Sequence, residues 1–285
     1  MHILAATDFS IRSQRAVRRA GLLARDSGAK LTLVHVVDDD QLSDLVALET
    51  REAERILGEQ IGAVAELRGL PSRALVVAGD PFDGILRAAA STEAGLIVMG
   101  AHRKQLLRDV FVGTTIERVI RTAPVPVLMV NEEVDQPYRT ALASVDLSEP
   151  SVNAIRTGKA LGLPGGAQLA LVHAFVPLGK GQMFHAGLSQ DTIDGYVANE
   201  RVRASKELAE FLEANGLDDH GQPVRVVEEG APVEVISKAV AQVKPDVLII
   251  GTHGRTGIAK ILLGSVTEEV LRSLDIDILA VPPPR

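Results

Sequence analysis

The stretch Val247-Leu-Ile-Ile250-Gly251-Thr252-His253-Gly254-Arg255-Thr-Gly257-Ile-Ala-Lys260-Ile-Leu-Leu-Gly264-Ser265-Val266-Thr267 decides the reading of the chain. Its opening apolar run predicts a strand buried on both faces. Residues 265–274 read as a helix that opens on Gly-Ser. A strand that ends in glycines and feeds a helix start suits phosphate, because glycines let the backbone approach an anion and the first N–H groups of the helix point at it. The spacing G-x2-G-x9-G-S is neither the Walker loop nor the Rossmann G-x-G-x-x-G.

Outward from this stretch, the chain repeats itself. Leu248-Ile-Ile-Gly251-Thr-His253 answers Ile97-Val-Met-Gly100-Ala-His102, and Ala141-Leu-Ala-Ser-Val-Asp146-Leu-Ser148 answers Ile3-Leu-Ala-Ala-Thr-Asp8-Phe-Ser10. Asp8 to Asp146 and His35 to His173 share an offset of 138 residues, whereas Gly79 to Gly230 and Gly113 to Gly264 share one of 151. The second copy therefore carries 13 additional residues between His173 and Gly230. Their expected host is 176–190, a Pro- and Gly-containing segment without clear periodicity, read as an enlarged loop that either covers the site or is simply solvated.

Each copy alternates strand and helix. The first places strands near 2–7, 31–37, 73–78, 95–100 and 126–130, with helices near 11–27, 42–68, 82–91 and 114–122. The second places strands near 140–145, 168–175, 223–228, 246–250 and 277–281, with helices near 149–162, 190–214, 232–243 and 265–274. This alternation predicts an α/β fold of two tandem doubly wound domains, each a five-stranded parallel sheet with helices on both faces. The polar, acidic stretch 131–138 separates domains expected at 1–134 and 138–285.

Composition excludes several function classes. A net charge of −7 over 285 residues gives no electrostatic support for nucleic-acid binding. No apolar run reaches a membrane span, and the N-terminus reads as a first strand rather than a signal peptide. The absence of cysteine removes disulfides, thiol catalysis and thiolate metal sites, and suits a cytoplasmic protein. Neither a metal-ligand spacing nor a Ser–His–Asp arrangement appears. The histidines at matching positions in both copies, His35 with His173 and His102 with His253, read as packing or loop hydrogen-bonding groups copied by the duplication.

The three glycines followed by Ser265 and a helix resemble the nucleotide loop of the universal stress protein family, within the adenine-nucleotide α-hydrolase-like folds. The resemblance spans the whole chain and implies a tandem member that binds ATP in its second domain. It implies contacts from Val145, Asp146, Ala174, Gly251, Thr252, His253, Gly254, Arg255, Gly264, Ser265, Val266 and Thr267. Asp146 would meet the adenosine end, since a carboxylate beside phosphates repels them unless a divalent cation lies between. Ala174 would frame the adenine through its backbone. Few bases besides Arg255 and Lys260 surround the loop, so phosphate binding would rest on backbone N–H groups, the helix dipole and Mg²⁺.

In the first copy Arg103 stands where the second glycine belongs. Asp8, Val36, Gly100, Arg103, Gly113 and Thr114 thus outline a degenerate counterpart, for which loss of ATP binding is the expectation. The family resemblance further implies a nucleotide-responsive regulator of stress responses that works through an unidentified protein partner and pairs through its last strand. Here 125–130 and 276–281 are expected to pair within one chain as a pseudo-dimer, and further pairing into a homodimer is compatible with this. The rival functions are a slow ATP hydrolase using the same loop and a scaffold with neither site occupied.

Overall fold

The computed structural model describes residues 1–101, 113–134, 136–163, 168–217, 223–254 and 263–284. The first half comprises β1 (His2–Ala6), α1 (Ile11–Ser27), β2 (Lys30–Val37), α2 (Ser43–Ala63), β3 (Ser72–Ala78), α3 (Pro81–Ser91), β4 (Leu96–Gly100), α4 (Thr115–Thr122) and β5 (Val127–Val130). The second comprises β6 (Thr140–Ser144), α5 (Glu149–Ala160), β7 (Gln168–Phe175), α6 (Lys180–His185), α7 (Gln190–Ala214), β8 (Val224–Glu229), α8 (Pro232–Val243), β9 (Val247–Gly251), α9 (Ser265–Ser273) and β10 (Asp277–Val281).

The ten strands of the described residues form one sheet in the order β3-β2-β1-β4-β5-β10-β9-β6-β7-β8. Within each half every pairing is parallel. The halves meet through an antiparallel pair, with Met129 opposite Ile278 and Val127 opposite Ala280. The C-terminal strand ends of the two halves consequently lie on opposite edges of the sheet, and the anticipated intrachain pairing of the last strands is present.

Alternation along the strands divides the core into two layers. Ile3 and Ala5 of β1 face the layer shared with Val17 of α1, Leu57 of α2, Ile155 of α5 and Leu208 of α7. Leu4 and Ala6 face the layer shared with Ile85 of α3, Val119 of α4, Ile236 of α8 and Val270 of α9. Both sheet faces are therefore covered, which is why the central strands are apolar throughout.

Two elements differ from the sequence reading. The helix expected over 42–68 stops at Ala63, and a 3-10 turn over Ala65–Leu67 follows. The turn delivers Leu67, 1% exposed, against α1, where a Cβ on Gly21 would lie 2.8 Å from Leu67 Cδ1. The enlarged loop of the second copy contains the one-and-a-half-turn helix α6. It is tied down where the Gly179 N–H donates to the Tyr196 hydroxyl at 3.1 Å and Lys180 pairs with Glu229 at 2.6 Å. Pro177 and Gly179 just before it and Gly181 within it hid so short a helix in the sequence.

The stretch between the halves is docked rather than free. Val134 and Tyr138 are buried. Arg15 donates to the Asn131 carbonyl at 2.8 Å, and Arg19 to that of Gln136 at 2.8 Å. Asp277, fully buried at the start of β10, accepts the N–H groups of Asn131 and Glu132 at 2.8 and 2.9 Å and the Tyr138 hydroxyl at 2.5 Å. Arg19 approaches the same carboxylate at 3.4 Å while stacking over the Tyr138 ring. A charge this deep is tolerated because three hydrogen bonds and the Arg19 guanidinium meet it.

Candidate functional site

In each half the first strand runs into a turn that bends a carboxylate back over the following helix start. Ser148 N–H donates to Asp146 Oδ1 at 3.2 Å, and the Ser148 hydroxyl donates to the same oxygen. In the first half Ser10 N–H donates to Asp8 Oδ1 at 3.0 Å. The intervening residues, Phe9 and Leu147, adopt left-handed backbone at φ 62° and 59°. Bulky residues avoid that region, and strain of this kind gathers at functional sites. Ser10 also caps α1, accepting from Ser13 N–H at 3.3 Å. Burial pushes the Asp8 carboxyl up, but hydrogen bonds from Ser10 and Ser13 outweigh it and leave the group below its ordinary value.

The second strands bring matching histidines beneath these turns. His35 Nδ1 hydrogen-bonds the Thr7 carbonyl and His173 Nδ1 the Val145 carbonyl, both at 2.8 Å. Each imidazole thus fixes the strand end ahead of its aspartate, in keeping with a loop hydrogen-bonding role. Val36 and Ala174, the next residues along, are half-buried.

In the second half the strand end and the helix start are stapled together. Thr252 N–H donates to the Val281 carbonyl at 2.8 Å, Gly264 N–H to the Thr252 carbonyl at 2.9 Å, and the Thr267 hydroxyl to the Gly251 carbonyl at 2.8 Å. A Cβ at Gly254 would stand 2.9 Å from Asp146 Oδ2, so the carboxylate and the loop come together only because that residue is glycine. Gly251 has a further reason to be bare, since a Cβ there would lie 3.3 Å from the Pro150 carbonyl on α5. His253 Nδ1 hydrogen-bonds Thr252 Oγ1 at 3.0 Å, and its buried Nε2 has no partner among the described residues. The N-cap of α9 is Gly264, and no side chain caps this helix. The N–H groups of Ser265, Val266 and Thr267 form its open first turn. Arg103, Arg255 and Lys260 lie outside the described residues.

The first half repeats the aspartate turn but not the helix start. Gly113 is left-handed at φ 86°, and its N–H donates to Glu117 Oε2 at 3.0 Å. Thr114 caps α4 by accepting Glu117 N–H at 3.3 Å. Glu117 itself is 1% exposed and forms an ion pair with Arg121. Sequence reading passed over Glu117, although Thr114-x-x-Glu117 has capping-box spacing. Gly100, expected to clear ligand space, also clears α1, because its Cβ would lie 2.6 Å from the Arg12 carbonyl. Asp8, His35, Val36, Gly100, Gly113 and Thr114 line a cavity of about 570 Å³.

Two doubly wound halves, each with an aspartate turn and a glycine before the last helix at its strand ends, define a tandem α/β architecture. The chain belongs to the universal stress protein family, whose profile matches residues 1–131 and 137–282. Universal stress protein E of Escherichia coli K12 is 26% identical over 305 aligned positions, covering 99% of this chain and 94% of that protein. A Thermus aquaticus universal stress protein, described as lying in the QAH/OAS sulfhydrylase 3′ region, is 35% identical over 45% of this chain and 96% of its own length. In fold, a universal stress protein from Archaeoglobus fulgidus superposes with a TM-score of 0.67 at 20% identity, covering 99% of this chain and 98% of the other. The likeness of architecture extends over both halves.

Proposed function

We propose that the second domain, residues 138–285, binds ATP or another adenine nucleotide and acts as a nucleotide-responsive regulatory module in a stress response. One observation carries this reading. The first turn of α9 is open where Gly254 admits the Asp146 carboxylate, so anion donors and a hydroxyl acceptor share one sheet edge. The N–H groups of Ser265, Val266 and Thr267 would hold phosphate oxygens, helped by the helix dipole. Asp146, its Oδ1 held by Ser148, would accept from the ribose, and the backbone at Ala174 would border the base. Among the described residues no group of three or more carboxylates or histidines is placed to hold a metal. Mg²⁺ would therefore arrive on the phosphates rather than in a protein cage. The first domain, residues 1–134, is the degenerate partner. Occupancy would set the conformation shown to a cytoplasmic protein partner, in a monomeric pseudo-dimer or a homodimer of it.

Denaturing purified protein and identifying released nucleotide by chromatography tests the reading, with Gly254→Arg as the comparison. Nucleotide at one per chain in the wild type and none in the variant supports it. None in either, even after incubation with Mg-ATP, leaves the scaffold. Slow hydrolysis is the second reading, favoured by the unpartnered His253 Nε2 beside the loop. Phosphate release that disappears in His253→Asn while nucleotide is still retained would establish it.

A further inference from the structure

We infer that the exposed start of α2 is a docking seat for a basic amphipathic helix of a partner protein. The partner helix lies against α2 as α6 lies against the start of α7. This holds with or without a ligand in either half, since no residue of 38–52 lines the cavity of the first domain. The two copies supply the comparison. Ala53 and Leu57 of α2 are buried, as are Ala204 and Leu208 of α7, which keep the offset of 151 residues. The same offset carries Leu42 to Ile193 and Leu45 to Tyr196. In the second copy α6 packs on the start of α7. Lys180 and Phe184 border Ile193, which is 2% exposed, and the Tyr196 hydroxyl holds Gly179. The first copy lacks the additional residues and passes from β2 to α2 through 38–42 alone. Leu42 is consequently 75% exposed, with Leu45 and Leu48 bare behind it. Spaced by three, these leucines form one flank of the helix, the pattern by which one helix seats another.

Charge selects the occupant. Residues 38–52 hold six carboxylates, all exposed, against the single base Arg51. The nearest other bases are engaged, Arg55 with Glu52 and Glu59 and Arg87 with Asp83. Two α2 starts brought together would set like rims against each other. The other apolar cluster of this chain, Leu178, Phe184 and Leu188, is followed by Asp191 and Asp194, and its Lys180 is paired with Glu229. A second copy therefore brings no positive charge to the seat. A helix with leucine-like residues on one side and lysine or arginine along its margins meets both the stripe and the rim.

Fluorescence anisotropy of the full chain with a labelled leucine–lysine helix of about 18 residues, long enough to hold its turns, tests this. The same peptide with glutamate for lysine is the control, and is expected to bind about tenfold more weakly or less. Leu42→Ser/Leu45→Ser/Leu48→Ser should weaken the lysine peptide about tenfold or more. Asp39→Asn/Asp40→Asn/Glu49→Gln should weaken it and flatten its dependence on salt. All six side chains are exposed, so both variants should unfold at the wild-type temperature. Leu178→Ser/Phe184→Ser, at the far end of the sheet, should leave the affinity unchanged. Bound peptide should slow hydrogen exchange over 38–52. No binding of the lysine peptide overturns the proposal. Binding that survives loss of the three leucines, or protection confined to other segments, reduces it to unspecific charge attraction and overturns it too. A chain that sediments as a dimer and turns monomeric in the leucine variant gives the seat to a second copy, against the proposal.

Discussion

Gly254 is where one atom decides most. No left-handed backbone requires this glycine; the space does, since a Cβ would press on Asp146 Oδ2 at 2.9 Å. Gly254→Ala should therefore lower nucleotide affinity about tenfold or more while the unfolding midpoint moves little, because the carboxylate swings away and the fold stays. Equal affinity in titrations of both proteins would dissociate Asp146 from the ligand. Gly100 behaves in the opposite way. Its would-be Cβ meets Arg12 backbone, which cannot swing aside, so Gly100→Ala should cost stability by about 1–3 kcal/mol in urea unfolding. Asp8 adds an acid dependence. Its carboxyl lies below the ordinary value in the folded chain. The stability it contributes is therefore complete above the unfolded value and lost as pH falls through the folded one. Asp8→Asn should flatten the fall of the urea midpoint in acid below about pH 4. A fall as steep as that of the wild type would place the acid sensitivity elsewhere.

Among the elements, α3 and α8 are duplicates with unequal beginnings. Asp80 caps α3, accepting Phe82 and Asp83 N–H at 2.9 and 3.2 Å, whereas α8 begins after Ala231 with no cap. Ala231→Asp should raise stability by about 1 kcal/mol, and Asp80→Ala should lower it by about as much, both read as unfolding free energies. Legibility divides along similar lines. Strands such as 96–99 and 247–250, apolar end to end, announced a doubly covered sheet, and the doubled Asp-x-Ser turns announced two equivalent strand ends. The helix starts could not be told apart in this way. Thr114-x-x-Glu117 and Ser265-x-x-Glu268 carry one pattern, yet only the first glutamate folds in, because Gly113 and Gly264 choose opposite signs of φ. A glycine's sign is set by the packing around it, which neighbouring letters do not record. The helix α6 was likewise hidden by the glycines and proline in and before it.

At the scale of the whole molecule, Asp277 joins the halves. Asp277→Ala would strand Arg19 and two backbone donors in the interior, and should lower stability by about 3–5 kcal/mol, with faster hydrogen exchange over 131–138. Tyr138→Phe removes one hydroxyl and should cost about 1 kcal/mol. Burial first, and then the Asp277 charge, keep the Tyr138 hydroxyl protonated well above its usual range. The folded chain therefore holds a proton that the unfolded chain gives up, and stability should decline above about pH 10 in the wild type but less in Tyr138→Phe.

The antiparallel meeting of β5 and β10 has a further consequence. Two separate chains held by such a strand pair would part on dilution, and their stability would follow their concentration. Here the tether keeps the local concentration of one half around the other fixed, whatever the abundance of the protein. The tether also abolishes symmetry. In a pair of identical chains every substitution is made on both sides of the axis, so neither side can specialise alone. In this chain one side can carry an internal carboxylate and the other an open helix end, and the unlike pair assembles every time without any sorting of subunits.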